Sequence, residues 1–178
     1  LRGVVNGIQA AYPEMIRQCF GHVINTASMA GLVPSPNLVG YAASKHAVVG
    51  LSKSLRVEAE QHGVRVSVLC PGTIRTPFLE GGPFGQPIVR LRGEPQDVKL
   101  QGLEGMDVDR FADRALNAVA ANKAVIVLPT GWKMLWWLDR LSPAVGFWFG
   151  RKVLEGLQKA TKEAAAARSQ ATASANSR

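Results

Sequence analysis

The sequence predicts an α/β fold: a parallel sheet with helices packed on both faces. Two apolar runs carry that prediction, His22-Val-Ile-Asn-Thr-Ala27 and Val64-Arg-Val-Ser-Val-Leu69. Both have strand length, and the second is apolar almost throughout, as a strand covered on both faces must be. A segment with Ala47, Val48, Leu51, Leu55 and Ala59 near one side at helical spacing lies between them. Pro71-Gly72 turns the backbone at the end of the second run, where open α/β sheets bind ligands.

In chain order, Gly3 to Arg17 reads as a helix of small and apolar residues interrupted late by Pro13. Gly21 resets the chain into the first strand, which ends near Ala27. Gly31 to Gly40, with Pro34 and Pro36, reads as a loop forming one wall of a substrate site. The next helix runs from about Tyr41 to His62, with His62 in its last turn and Gly63 as the left-handed cap. Val64 to Leu69 is the second strand. Gly81 to Gly105 is dense in Gly and Pro and reads as a mobile lid. The apolar members of this region, Phe78, Leu79, Phe84, Ile88, Val89 and Leu91, lean toward a hydrophobic substrate. Asp107 to Asn122 reads as a helix with an acidic start, and Ala124 to Leu128 as the last strand, ended by Pro129.

Composition excludes several classes of function. The 178 residues are 47% hydrophobic and 19% charged, ordinary values for a soluble globular domain. Cys19, Cys70 and three histidines provide neither a disulfide framework nor metal-ligand spacing, so no metal is expected. Both cysteines read as core residues in a reducing compartment. The net charge of +8 raises the question of nucleic acid. Much of the excess sits at the end of the chain, where Arg151, Lys152, Lys159, Lys162, Arg168 and Arg178 face only Glu155 and Glu163. No recognition motif accompanies them, so they read as a solvated helix face and no nucleic-acid partner is expected.

The chemistry concentrates at Tyr41-Ala-Ala-Ser-Lys45. Residues four apart on a helix share a face, separated by about 6 Å of rise. An ammonium beside a phenol favours the phenolate, which draws Tyr41 toward use as a general acid or base on a carbonyl or alcohol oxygen. Ser28 follows the first apolar run and could hold the same oxygen. His46 points about 100° away from this face and receives no role.

The order and spacing of Asn25-Thr-Ala-Ser28-Met-Ala-Gly31, Tyr41-Ala-Ala-Ser-Lys45 and Pro71-Gly72-Thr-Ile74-Arg-Thr76-Pro77 resemble the short-chain dehydrogenase/reductase family. The resemblance covers about Leu1 to Pro129. It implies a Rossmann-like doubly wound parallel sheet of which this chain holds the second half, with residues 1–129 as the C-terminal half of an NAD(P)-binding domain. It implies interconversion of an alcohol and a ketone or aldehyde by hydride transfer, with NAD or NADP as cofactor. Ser28, Tyr41 and Lys45 would be catalytic. Tyr41, Lys45, Pro71, Gly72, Ile74 and Thr76 would bind cofactor, the turn passing the nicotinamide with its backbone and Thr76 reaching the carboxamide.

A fourth catalytic residue of the family, an asparagine, would fall directly before Leu1, so Asn6 is not its equivalent. The glycine-rich turn for the cofactor pyrophosphate, and the residue that selects NAD or NADP, are likewise expected upstream. Gly81-Gly-Pro-Phe-Gly85 does not replace that turn, because it neither follows a strand directly nor opens a clear helix. The chain opens on Leu1 without a signal segment and reads as a fragment of a cytoplasmic enzyme. On this reading the isolated fragment is inactive. The partners implied are a small, hydrophobic alcohol or carbonyl substrate and, in the full-length enzyme, further copies in a dimer or tetramer.

Residues 130–163 depart from the family as an aromatic-rich helical extension. Trp132 to Phe149 holds all four tryptophans but is broken by Lys133, Asp139, Arg140 and Pro143, so it cannot supply the roughly 20 apolar residues of a membrane span. Two readings stay open: packing on the pocket or a partner subunit, and peripheral membrane contact through 132–149. Residues 164–178 read as a disordered tail. Two other functions compete with the reductase. One is a non-catalytic scaffold of the same fold, against which the Ser28-Tyr41-Lys45 set argues. The other is an epimerase or dehydratase of the extended relatives, which would need a larger substrate domain.

Overall fold

Three parallel strands form the sheet in a computed structural model that describes residues 1–76 and 105–176. The strands are β1 (Gly21–Thr26), β2 (Val64–Pro71) and β3 (Val125–Leu128), adjacent in the order β1-β2-β3. Val23 lies opposite Val66 and Val68 opposite Val125. α1 (Arg2–Gln18) leads into β1, α2 (Val39–Glu60) crosses from β1 to β2, and α3 (Val108–Ala120) crosses from β2 to β3.

Strand periodicity decides which helix covers which face. Val64, Val66, Val68 and Cys70 alternate along β2, and all are buried. Val66 belongs to a cluster with Val23 and Ala59 that Ile8, Tyr12 and Met15 of α1 complete. Val68 and Cys70 pack with Ala27, Val48, Val49 and Val127. The alternate residue Leu69 faces the other way, toward Ala115 and Phe111 of α3 and toward Ile126 and Leu128. Helices therefore cover both faces of the sheet, and the predicted α/β class holds.

Several local expectations are corrected. Pro13 lies inside a continuous α1 and does not interrupt it; packing of Ile8, Tyr12 and Met15 holds the turns on either side. Cys19 is exposed and closes α1 in the left-handed conformation at φ 58°, so it is not a core residue, whereas Cys70 is buried. α2 starts at Val39 and ends at Glu60, which leaves His62 outside the helix. Gly63 does adopt positive φ, 68°, and a Cβ there would collide with the Cys19 carbonyl oxygen. β2 runs two residues past Leu69 because Cys70 and Pro71 pair with Val127 and Leu128. Asp107 is the cap of α3, its carboxylate accepting from the Asp109 and Arg110 amides at 3.1 and 3.2 Å.

Beyond β3 the chain forms α4 (Trp132–Leu141) and α5 (Pro143–Asn176). α5 stays helical through the alanine-rich stretch at 164–167, where composition suggests disorder; alanine has the highest helix propensity of any residue. The lid expected from Gly81 lies outside the described residues, as do Pro77 and the apolar residues Phe78 to Leu91. No described helix is long and apolar enough to cross a membrane, and the described residues hold no cluster suited to a metal ion.

Candidate active site

Ser28, Tyr41, Lys45 and the Pro71-Gly72 turn meet at the carboxyl end of β1 and β2. Ser28 follows β1 and caps a single 3-10 turn, Met29–Gly31, in which its hydroxyl oxygen accepts from the Ala30 amide at 3.2 Å. The same hydroxyl points its proton at the Pro71 carbonyl oxygen across a long 3.5 Å. Such a bond is weak and easily redirected to another acceptor. Ser28 is thereby held beside the turn that ends β2.

Tyr41 and Lys45 lie on one side of the first turns of α2, as their spacing predicts. The Lys45 Nζ is 5.5 Å from the Tyr41 ring centroid and donates to the Thr26 carbonyl oxygen at 3.1 Å. Thr26 is the last residue of β1, so this bond ties the ammonium to the strand end that carries Ser28. Burial holds the Lys45 ammonium below the ordinary lysine value, with the neighbouring Cys70 partly opposing. Burial likewise pushes the Cys70 thiol up to about 12, against the opposing effects of the Ser28 backbone and Lys45. Cys70 is therefore a neutral wall of the site and not a nucleophile.

Two residues that the sequence reading assigned no site role hold this arrangement together. Gly31 packs its Cα against α2, where a Cβ would come within 2.6 Å of the Lys45 carbonyl oxygen and 3.1 Å of Val49 Cγ2. Only glycine lets the Ser28 turn approach so closely. The Trp132 indole lies where a Cβ on Gly72 would have to go, so α4 supports the Pro71-Gly72 turn from behind. Trp132 also meets Phe149 edge to face with ring centroids 6.2 Å apart. The cue for Gly31 was its place three residues after Ser28; nothing local to Trp132 pointed to Gly72.

The remaining turn residues are anchored as well. Ile74 pairs with Met106, the Arg75 amide donates to the Met106 carbonyl at 2.9 Å, and Arg75 reaches the Asp107 carboxylate at 3.3 Å. Thr76 is half-buried at the end of the described segment. Asn6 is exposed on α1. Two concavities lie elsewhere. One of 300 Å³ runs along β3 with Arg114, Asn117, Lys123 and Lys133. The other, of 650 Å³, lies between the start of α2 and α5. Neither includes Ser28, Tyr41 or Lys45.

Residues 1–82 match the family model for short chain dehydrogenase. Oxidoreductase UcpA of Salmonella typhimurium strain LT2 is 38% identical over 116 residues, 64% of this chain and 42% of that protein. The chain thus spans less than half the length of this curated relative. A short chain dehydrogenase/reductase from Burkholderia phymatum, solved in complex with NAD, superposes with a TM-score of 0.64 at 26% identity, over 82% of this chain and 56% of that one. A short-chain dehydrogenase from Sphingobium yanoikuyae in complex with NADPH gives 0.63 at 24% identity, over 81% and 50%; at that identity the likeness is one of fold.

Proposed function

This chain belongs to the short-chain dehydrogenase/reductase family, and from that premise we propose that it serves an NAD(P)-dependent oxidoreductase interconverting an alcohol and a ketone or aldehyde. The observation that carries the reading is Lys45, whose ammonium lies beside the Tyr41 ring while bonded to the strand end that bears Ser28. Held there, Tyr41 is placed to exchange a proton with a substrate oxygen.

The residues present fit a nicotinamide cofactor. An ammonium able to meet a ribose and an anchored Pro71–Thr76 segment lie together at the carboxyl end of parallel strands, where dinucleotides bind. The Burkholderia phymatum relative was solved with NAD; for this protein the reading is NAD or NADP. When bound, that cofactor supplies or accepts the hydride. Ser28 orients the substrate oxygen by turning its weakly held proton from Pro71 toward it. Tyr41 delivers a proton to that oxygen in reduction and takes it back in oxidation. Lys45 holds its ammonium beside the Tyr41 ring and would meet the cofactor ribose. The substrate is a small hydrophobic alcohol or carbonyl compound.

The test uses an enzyme form that binds the whole dinucleotide. Deuterium from C4-labelled reduced cofactor should appear on the carbinol carbon of a reduced ketone. Tyr41→Phe should retain cofactor binding and lose at least about 100-fold in kcat, the lower range of general acid catalysis. Turnover within about tenfold of wild type would reject Tyr41 as the proton donor.

A further inference from the structure

The aromatic segment that follows β3 has no part in the proposed reaction beyond the support Trp132 lends to Gly72. α4 presents two different faces. Trp132, Leu135 and Trp136 turn inward and pack on the cluster around Val48, Cys70 and Val127. Met134, Trp137, Leu138 and Leu141 occupy the other face at helical spacing and are 70%, 57%, 41% and 79% exposed. On α5, Phe147 and Trp148 are likewise exposed. Phe147 also lines the 650 Å³ groove against Pro36 and Val39, so apolar surface continues from the helix pair toward α2. Monomeric soluble proteins rarely leave so much contiguous apolar surface in water without using it.

The surrounding charges select the partner. Lys133, Arg140, Arg151 and Lys152 accompany these helices, against Asp139 and Glu155. Lys152 spends its charge on Glu155 at 2.8 Å, while the Arg140 guanidinium lies 6.0 Å from the Trp136 ring. Arg140 and Arg151 are exposed, and Arg151 sits in the lining of the groove. Tryptophan, leucine and phenylalanine beside exposed arginine suit the boundary between lipid headgroups and acyl chains. A second copy of this face would bring the same positive rim against itself, whereas anionic headgroups complement it. Ten residues of α4 cannot span a bilayer, so contact of this kind is interfacial.

We propose that the α4–α5 pair seats this protein on the surface of an anionic membrane, with Met134, Trp137, Leu138, Leu141, Phe147 and Trp148 entering the interface and Arg140 and Arg151 facing lipid phosphates. The reading is independent of the reaction proposed above, since none of these residues belongs to the Ser28-Tyr41-Lys45 site.

The experiment is flotation of the full chain with vesicles of phosphatidylcholine containing about one-third phosphatidylglycerol, and with phosphatidylcholine alone, at low and high salt. The chain should float with the anionic vesicles, more weakly at high salt, and tryptophan emission should shift to the blue. The double variant Trp137→Ser/Leu141→Ser removes two exposed anchors and should lower the bound fraction by about tenfold or more while its thermal unfolding is unchanged. Arg140→Glu/Arg151→Glu should abolish the preference for anionic vesicles. Failure of the wild-type chain to float with anionic vesicles at low salt would overturn the proposal. So would a wild-type oligomer that the Ser variant dissolves without any vesicle binding, which would assign the face to self-association.

Discussion

The β1–α2–β2 unit and the α4–α5 pair are both rich in apolar side chains, yet they treat them in opposite ways. Around β2, Val66, Val68 and Cys70 are almost fully buried, and polar groups among them find partners: Asn25 donates to Ser52 at 2.9 Å and Ser52 to the Val48 carbonyl at 2.7 Å. In α4, Trp132, Leu135 and Trp136 pack inward while Met134, Trp137, Leu138 and Leu141 face out. Internal packing accounts for most of the first region, with Ile24, Val39 and Val57 left exposed. The second region leaves its outer face exposed among the described residues, and its inner face ties it to the site through Trp132 and Gly72.

The largest effect expected separates roles within the first region. Lys45→Ala should cost both rate and cofactor affinity, because in the proposed reaction one ammonium would serve Tyr41 and the ribose, whereas Tyr41→Phe should cost rate alone. Ser28→Ala should lower kcat more than affinity, since its hydrogen bond strengthens as charge develops on the substrate oxygen. Steady-state kinetics with cofactor titration of all three variants checks this. A Lys45→Ala enzyme with unchanged cofactor Kd would remove the ribose role.

The next prediction sets the inner face of α4 against its outer face. Trp132→Ala should destabilise by about 3 kcal/mol, the lower end for removing a packed tryptophan, and should also impair cofactor binding through the Gly72 turn. Trp137→Ala, on the exposed side, should stay within about 0.5 kcal/mol of wild type in urea unfolding. Equal losses at both positions would mean that the outer face is packed too, and the contrast drawn here would fail.

A glycine pair sharpens the packing argument inside α2. Gly31→Ala forces a Cβ against the Lys45 carbonyl and should cost about 1–3 kcal/mol as overpacking while disturbing Lys45. Gly50→Ala lies mid-helix with nothing within 4 Å of the added carbon, so it should stabilise by about 0.5–1 kcal/mol. Chemical denaturation of the two variants should therefore give opposite signs; a stabilised Gly31→Ala would show that the Ser28 turn can retreat from α2.

Much of this was legible in the sequence because the physics is local or periodic. Continuous apolar runs marked β1 and β2, four-residue spacing put Lys45 beside Tyr41, and Pro71-Gly72 marked the strand end beside which Ser28 now lies. Contacts between distant segments were not legible. Nothing near Trp132 tells that its indole fills the space over Gly72, and Cys19 looks like a core residue until the left-handed end of α1 turns it outward. The start of α2 at Val39 was hidden by the prolines just before it. The fate of the 132–149 aromatics was split evenly between inside and outside, which composition cannot resolve.

The smallest effect concerns the amino-terminal end of the sheet, opposite the site. His22 Nε2 lies 2.8 Å from Ser67 Oγ, and Ser67 donates its only proton to the Lys123 carbonyl at 2.7 Å, so His22 is the donor of that pair. Burial first, then the charges of Arg65 and Arg56, hold the imidazole below its ordinary value of 6.5. The folded state therefore binds this proton less readily than the unfolded chain does. The stability it contributes is complete above about pH 6.5 and is lost as pH falls through the lowered folded value. The carboxylate of Asp107, held low first by the Arg110 amide, loses its stabilising charge only in the more acidic carboxylate range. Urea midpoints at pH 8 and pH 5 should thus fall further on acidification for wild type than for His22→Gln, which keeps a donor but does not titrate. Identical slopes for the two proteins would show that His22 is not the group that senses this range.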